Sequence, residues 1–106
     1  MALETSTFMT MLIQGVLTRR RELDLKISPL SEGWALDRQA AVDRNIMRIA
    51  TFEILFVPDI PVAASINEAV DLAKKYSTAE SGKFVNGILG AIARAHTPTK
   101  LTQKEA

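Results

Sequence analysis

"VDRNIMRIATFEILFVP", residues 42–58, is the stretch whose reading decides the fold. Ile46, Met47, Ile49, Ala50, Phe52 and the run Ile54 to Val57 make it apolar nearly all round, and Arg44, Arg48 and Thr51 supply its one polar stripe. A surface helix has a single apolar stripe, whereas a helix apolar on almost every side must be enclosed by others. The pattern predicts a central helix over Asp43–Val57, ended by Pro58, which cannot continue the backbone ladder. Glu53 is out of place there, because a carboxylate withdrawn from water needs a partner. A structural hydrogen bond or ion pair is expected for it, with a catalytic acid as the alternative.

Toward the N-terminus, Phe8, Leu12 and Val16 recur every four residues, Met11 and Gly15 flank them, and Leu23 extends the row. That spacing predicts one helix from about Thr5 to Leu25, capped through the hydroxyl of Thr5 or Ser6. Arg19, Arg20 and Arg21 in its second half have two readings: cations that complement a helix C-terminus, or an anion site. "ISPLSEGW" (27–34) then interrupts the pattern, since Pro29 disfavours helix at Ser28 and Gly33 adds a second break. Trp34 and Leu36 read as core plugs on a short helical turn, and a base-stacking Trp is the rival.

Toward the C-terminus, "PDIPV" (58–62) is a tight connection into a helix over Val62–Tyr76, with Val62, Ile66, Ala69, Val70, Ala73 and Tyr76 on one stripe. Asp71 and Lys75 are placed for an i,i+4 pair. Ser77-Thr78-Ala79-Glu80 has the form of a capping box, with Ser77 as the cap. It launches a fourth helix with Phe84, Val85, Ile88, Leu89 and Ile92 inward. The outer face of that helix carries Lys83, Asn86, Gly87, Gly90 and Arg94, three of them poor helix formers. Either those glycines let another helix pack tightly, or the face is kept clear for docking. Residues 1–96 are read as one helical domain and 97–106 as a polar tail.

Composition narrows the chemistry. A chain of 106 residues with 47% hydrophobic and 24% charged residues is of single-domain size and has a folding composition. No cysteine excludes disulfides, thiolate catalysis and Cys-ligated zinc, and the lone His96 cannot build a metal site by itself. No Gly-rich phosphate loop, GxSxG or His cluster is present, so no enzyme, cofactor or metal is expected. A helix-turn-helix DNA reader built from the last two helices is a weak alternative, because Lys83 and Arg94 are few for a phosphate-binding face. Net charge is +1, and the small basic excess lies at the C-terminal end. No apolar run approaches ~18 residues, and the start lacks a basic n-region, so no membrane partner and a cytoplasmic location are expected.

"VDRNIMRIATFEI", "DIPVAASINEAVDLAKKYS" and "ESGKFVNGILG", in that order and spacing, resemble the NusB family of transcription antitermination factors. The resemblance is strongest over residues 42–93 and extends weakly back through "FMTMLIQGVL". It implies an all-α fold, a helical bundle of NusB type. Here that bundle is expected to be N-terminally truncated, with about four main helices plus a short connecting helix. It also implies a job: pairing with NusE, a protein of the small ribosomal subunit, and binding boxA RNA. That adaptor enters the RNA polymerase antitermination complex and suppresses premature termination in ribosomal RNA operons. Carried over residue by residue, RNA-binding falls to Lys83, Phe84 and Arg48, and partner-binding to Asp37 and Asp43. Phe84 can equally be core, and Asp43 can equally be the N-cap of the central helix.

NusB-like proteins normally begin with an Arg-rich helix and a second helix, and this chain is expected to start at about the third. Phe8, Met11, Leu12 and Val16 would then be uncovered unless they repack or meet a second chain, which raises a homodimer through the face left by the missing helices. Weakened RNA binding is the corresponding expectation. The alternative function is a helical protein-interaction module, NusE-binding or self-associating, that has lost RNA binding.

Overall fold

Five α-helices and one 3₁₀ turn run through the residues that a computed structural model of the chain describes, 2–31 and 41–97: α1 Ala2–Thr18, α2 Arg20–Ile27, the turn Ser28–Leu30, α3 Ala41–Phe56, α4 Val62–Tyr76 and α5 Ala79–His96. No strand occurs among them. The all-α expectation holds. Gly33, Trp34, Leu36 and Asp37 lie outside the described residues, as does the expected helical turn between Trp34 and Leu36.

α3 is the enclosed helix that its all-round apolarity predicts. Met47 and Ile54 are fully buried, and Ile46, Ala50 and Phe52 nearly so, while Ile49 is exposed. Arg48 and Thr51 of the supposed polar stripe are buried as well. Glu53 is half-buried and engaged by a neighbour, not left as an orphan charge. α4 and α5 pair most extensively, α3 lies across both, and α1 and α2 pack on α3. The core between them is built from Ala69 and Ala73 of α4 and Val85, Leu89 and Ile92 of α5, closed from the α2 side by Ile27.

Several expectations need correction. The long first helix is two helices, broken at Arg19, whose φ of −105° and ψ of 15° leave the helical well. The ladder still passes through the joint, with Arg19 N donating to Gly15 O (3.0 Å) and Leu23 N to Arg19 O (2.9 Å). The joint lets both halves face α3. α1 approaches through Gly15, where a Cβ would lie 2.2 Å from Phe52 Cζ, and α2 buries Leu23 and Ile27. Thr5 and Ser6 are not caps, because α1 begins at Ala2. α2 ends at Ile27, ahead of Pro29 as expected, but Ser28 keeps helical dihedrals (φ −57°, ψ −46°) and opens the 3₁₀ turn. Ser31 finishes the segment, donating its hydroxyl to Ile27 O at 3.0 Å.

Arg19 settles into a role neither reading foresaw. Its guanidinium lies 4.2 Å from the Phe56 ring centroid and pairs with Glu22 at 3.2 Å, so it covers the aromatic pair Phe52–Phe56. On α4, Tyr76 is exposed instead of core-facing, and Lys75 sits 5.3 Å from the Tyr76 ring centroid instead of reaching Asp71. At the start of α5 the cap is Thr78, one residue later than expected: its Oγ1 accepts from Ser81 N at 2.9 Å.

Candidate functional site

The first turn of α5 is tied down before its candidate face begins. Asp43, 1% exposed, accepts at Oδ2 from Ser77 Oγ (3.0 Å) and Ser81 Oγ (2.9 Å). Each serine has one hydroxyl hydrogen and both go to Asp43, while the Thr78 hydroxyl donates to Ser81 Oγ at 3.0 Å. A buried carboxylate that accepts two hydroxyls is a strong and directional tie, and it fixes the start of α5 against the start of α3. Asp43 is therefore not the N-cap of α3, which begins two residues earlier at Ala41. The family resemblance makes Asp43 a partner contact, whereas in the fold its carboxylate faces inward.

Two residues beyond Ser81 the exposed face begins. Lys83 is exposed and forms no ion pair among the described residues. Phe84 is half-buried and packs against the core. Together with Leu30, Gly87, Ile88 and Ala91 they line a shallow depression of about 250 Å³. A Cβ at Gly87 would meet nothing within 4 Å, so no helix among the described residues requires that glycine for packing. At Gly90 the nearest atom is the flexible end of Arg94, 3.2 Å away. The smooth face is open. Gly15 and Gly82 are the glycines that packing demands, against Phe52 and the Lys74 stem.

Arg48 is placed elsewhere. Its Nε donates to Asp24 Oδ1 (2.7 Å), Nη2 to Asp24 Oδ2 (3.0 Å) and Nη1 to Asn45 Oδ1 (3.1 Å). This is a two-pronged fork whose arginine side chain is only 11% exposed. It joins α2 to α3, so Arg48 is committed inside the fold and is not brought together with Lys83 and Phe84. Asp37 lies outside the described residues. Sequence reasoning names Ser77 only as a cap and does not single out Asp24 or Ser81. One signal was available: a guanidinium on a nearly all-apolar helix needs an acid, and Asp24 lies on the neighbouring segment.

A second surface is apolar. Met9, Ile13 and Leu17 of α1 are each more than half exposed, and with Leu12, Val16 and Ile49 they line a groove of about 400 Å³. Among the described residues no group of His, Asp or Glu is placed to hold a metal ion, and no helix is long and apolar enough to cross a membrane.

The described residues form a small all-α bundle, and on its α5 Lys83, without an ion pair among them, stands beside the half-buried Phe84. A sequence profile of the NusB family matches residues 1–94, and the chain belongs to that family. Over 86 residues it is 51% identical to the transcription antitermination protein NusB of Thermotoga petrophila, covering 81% of this chain and 61% of that protein. Over 81 residues it is 52% identical to the protein of the same name from Desulfitobacterium hafniense, covering 76% and 55%. The structure of Thermotoga maritima NusB superposes with a TM-score of 0.80 at 46% identity, over 87% of this chain and 65% of that one. The chain spans roughly three fifths of the length of the curated relatives it matches.

Proposed function

We propose that this chain is an antitermination adaptor that pairs with NusE, binds boxA RNA and enters the RNA polymerase complex of ribosomal RNA operons, in the cytoplasm and without chemistry of its own. The observation that carries the proposal is the pairing of Lys83, unpartnered among the described residues, with the half-buried Phe84 beside Gly87. A cation that neutralises phosphate next to an aromatic edge that stacks on an unpaired base is the combination that single-stranded RNA requires. The names of the close relatives support the same reading. Arg48 contributes by holding α2 against α3, and Asp43 by fixing the helix that presents Lys83. Of the two acids assigned to the NusE contact, Asp37 is the one proposed to touch the partner directly.

The test is fluorescence anisotropy of a labelled boxA RNA titrated with the chain, with and without NusE, at two salt concentrations. Binding that tightens with NusE, weakens with salt and is lost in Lys83→Ala supports the adaptor. RNA that stays free under every condition overturns it.

The exposed apolar face of α1 favours a second reading, a protein-interaction module that self-associates through the groove by Met9, Ile13 and Leu17. Sedimentation equilibrium decides: a monomer at high concentration removes the homodimer.

A further inference from the structure

Next to the Lys83–Phe84 depression lies a second one of about 390 Å³, and the two share Leu30 and Ala91 as walls. Together they form a trough along α5 that runs from Lys83 to His96, with α2 and the 3₁₀ turn as its far bank. Over thirteen residues at 1.5 Å each its length is about 20 Å. The floor and far bank are apolar: Leu25 is 68% exposed and Leu30 40%. The charged groups that line the second depression are Lys26, His96 and Glu22, and Glu22 already pairs with Arg19. Arg94, exposed, lays its guanidinium over Gly90 on the adjoining stripe. Among the described residues the trough is therefore apolar along its base and cationic at both ends, and the one acid that lines it is engaged.

We infer that this trough is the continuation of the RNA track, which carries unpaired nucleotides from Lys83–Phe84 toward Lys26 and His96; the inference rests on the proposed RNA reading of Lys83 and Phe84. Bases lie against Leu30 and Leu25, and phosphates meet Lys26 and His96. A chain of stacked nucleotides spaced ~3.4 Å apart places up to about six along 20 Å. Charge decides between RNA and an apolar peptide. A peptide would leave Lys26 without a counter-ion unless it brought an acid to that point, whereas a polyanion supplies one wherever it lies.

The experiment compares a boxA oligonucleotide with the same oligonucleotide carrying six unpaired nucleotides at either end, with NusE present, for wild type, Lys83→Ala, Lys26→Glu and His96→Ala. His96 is exposed and Lys26 half-buried, and circular dichroism checks that each variant is folded. The extended RNA is expected to bind more tightly to wild type. Lys26→Glu is expected to remove that gain with little effect on the short RNA, and to lower the slope of log affinity against log salt by about 0.7 for the extended RNA. His96→Ala is expected to reduce the gain by up to about fivefold. Lys83→Ala weakens both RNAs. An extension gain that survives Lys26→Glu and His96→Ala overturns the trough while leaving the Lys83 site standing. A Lys26→Glu effect on NusE affinity with RNA absent, and no effect on RNA, makes the trough a protein site and likewise overturns it. If wild type binds neither RNA, the adaptor proposal falls and the trough with it.

Discussion

Removing the carboxylate of Asp24 tests the assignment of Arg48 to the fold. The fork places Nε–Oδ1 at 2.7 Å and Nη2–Oδ2 at 3.0 Å, with the arginine side chain 11% exposed and the aspartate 29%. Losing one partner of a fully buried pair costs about 3–5 kcal/mol, and an exposed pair is worth about 0–1. Water reaches Asp24 but barely reaches Arg48, so Asp24→Ala should cost about 2 kcal/mol. In a domain of this size that lowers the melting temperature by roughly 10 °C. Urea unfolding followed by far-UV circular dichroism measures it, and a cycle with Arg48→Met isolates the pair. The double variant should be less unstable than the sum of the singles by about 1–2 kcal/mol. RNA affinity supplies the second readout. If Arg48 were a phosphate ligand held back by Asp24, Asp24→Ala would release it and tighten RNA binding. A stability loss below about 0.5 kcal/mol together with tighter RNA binding would refute the structural role.

Gly15→Ala should destabilise by about 1–3 kcal/mol despite its gain in helix propensity, because the new Cβ lands 2.2 Å from the Phe52 ring. Gly87→Ala, with nothing within 4 Å, should stabilise by up to about 1 kcal/mol; thermal melts of the two variants must move in opposite directions. Thr78→Ala should cost about 1 kcal/mol by removing the cap that accepts from Ser81 N at 2.9 Å. Asp43→Asn, whose amide oxygen can still accept a hydroxyl, should keep more stability in urea than Asp43→Ala, and Ser81→Ala combined with Asp43→Ala should be less than additive.

The fold was legible wherever one residue's environment follows from its neighbours in sequence. The all-round apolarity of 46–57 placed α3, and the stripe from Val62 to Tyr76 placed α4, although Tyr76 itself is exposed. The break at Arg19 was not legible, since Gly15, the ladder and the apolar row all continue through it. What bends the chain is the need for α1 and α2 each to meet α3, a tertiary demand with no local mark. The cap of α5 slipped by one for a similar reason. Ser77 and Thr78 are both able caps, and Asp43, thirty-four positions away, takes the Ser77 hydroxyl. In the candidate site Lys83 and Phe84 were legible as residue types, but that Arg48 is closed onto Asp24 depends on a contact across twenty-four positions.

The same residue type carries opposite physics at Gly15 and Gly87, and the contrast bears on function. At Gly15 the missing Cβ is filled by the Phe52 ring, so the glycine is explained by the fold alone. At Gly87 it is filled by nothing, and a helix that gives up propensity on an exposed turn without a packing gain is less stable than it need be. Proteins keep such local losses where something outside the chain uses the space. Gly87 stands beside Lys83 and Phe84, on the helix whose start Asp43, Ser77, Thr78 and Ser81 hold by a chain of hydroxyl bonds. Gly87→Leu therefore joins the two arguments: it should leave the melting temperature no lower than that of the wild type while weakening boxA binding. If the variant melts earlier, the space belongs to the fold, and the docking argument for that face fails with it.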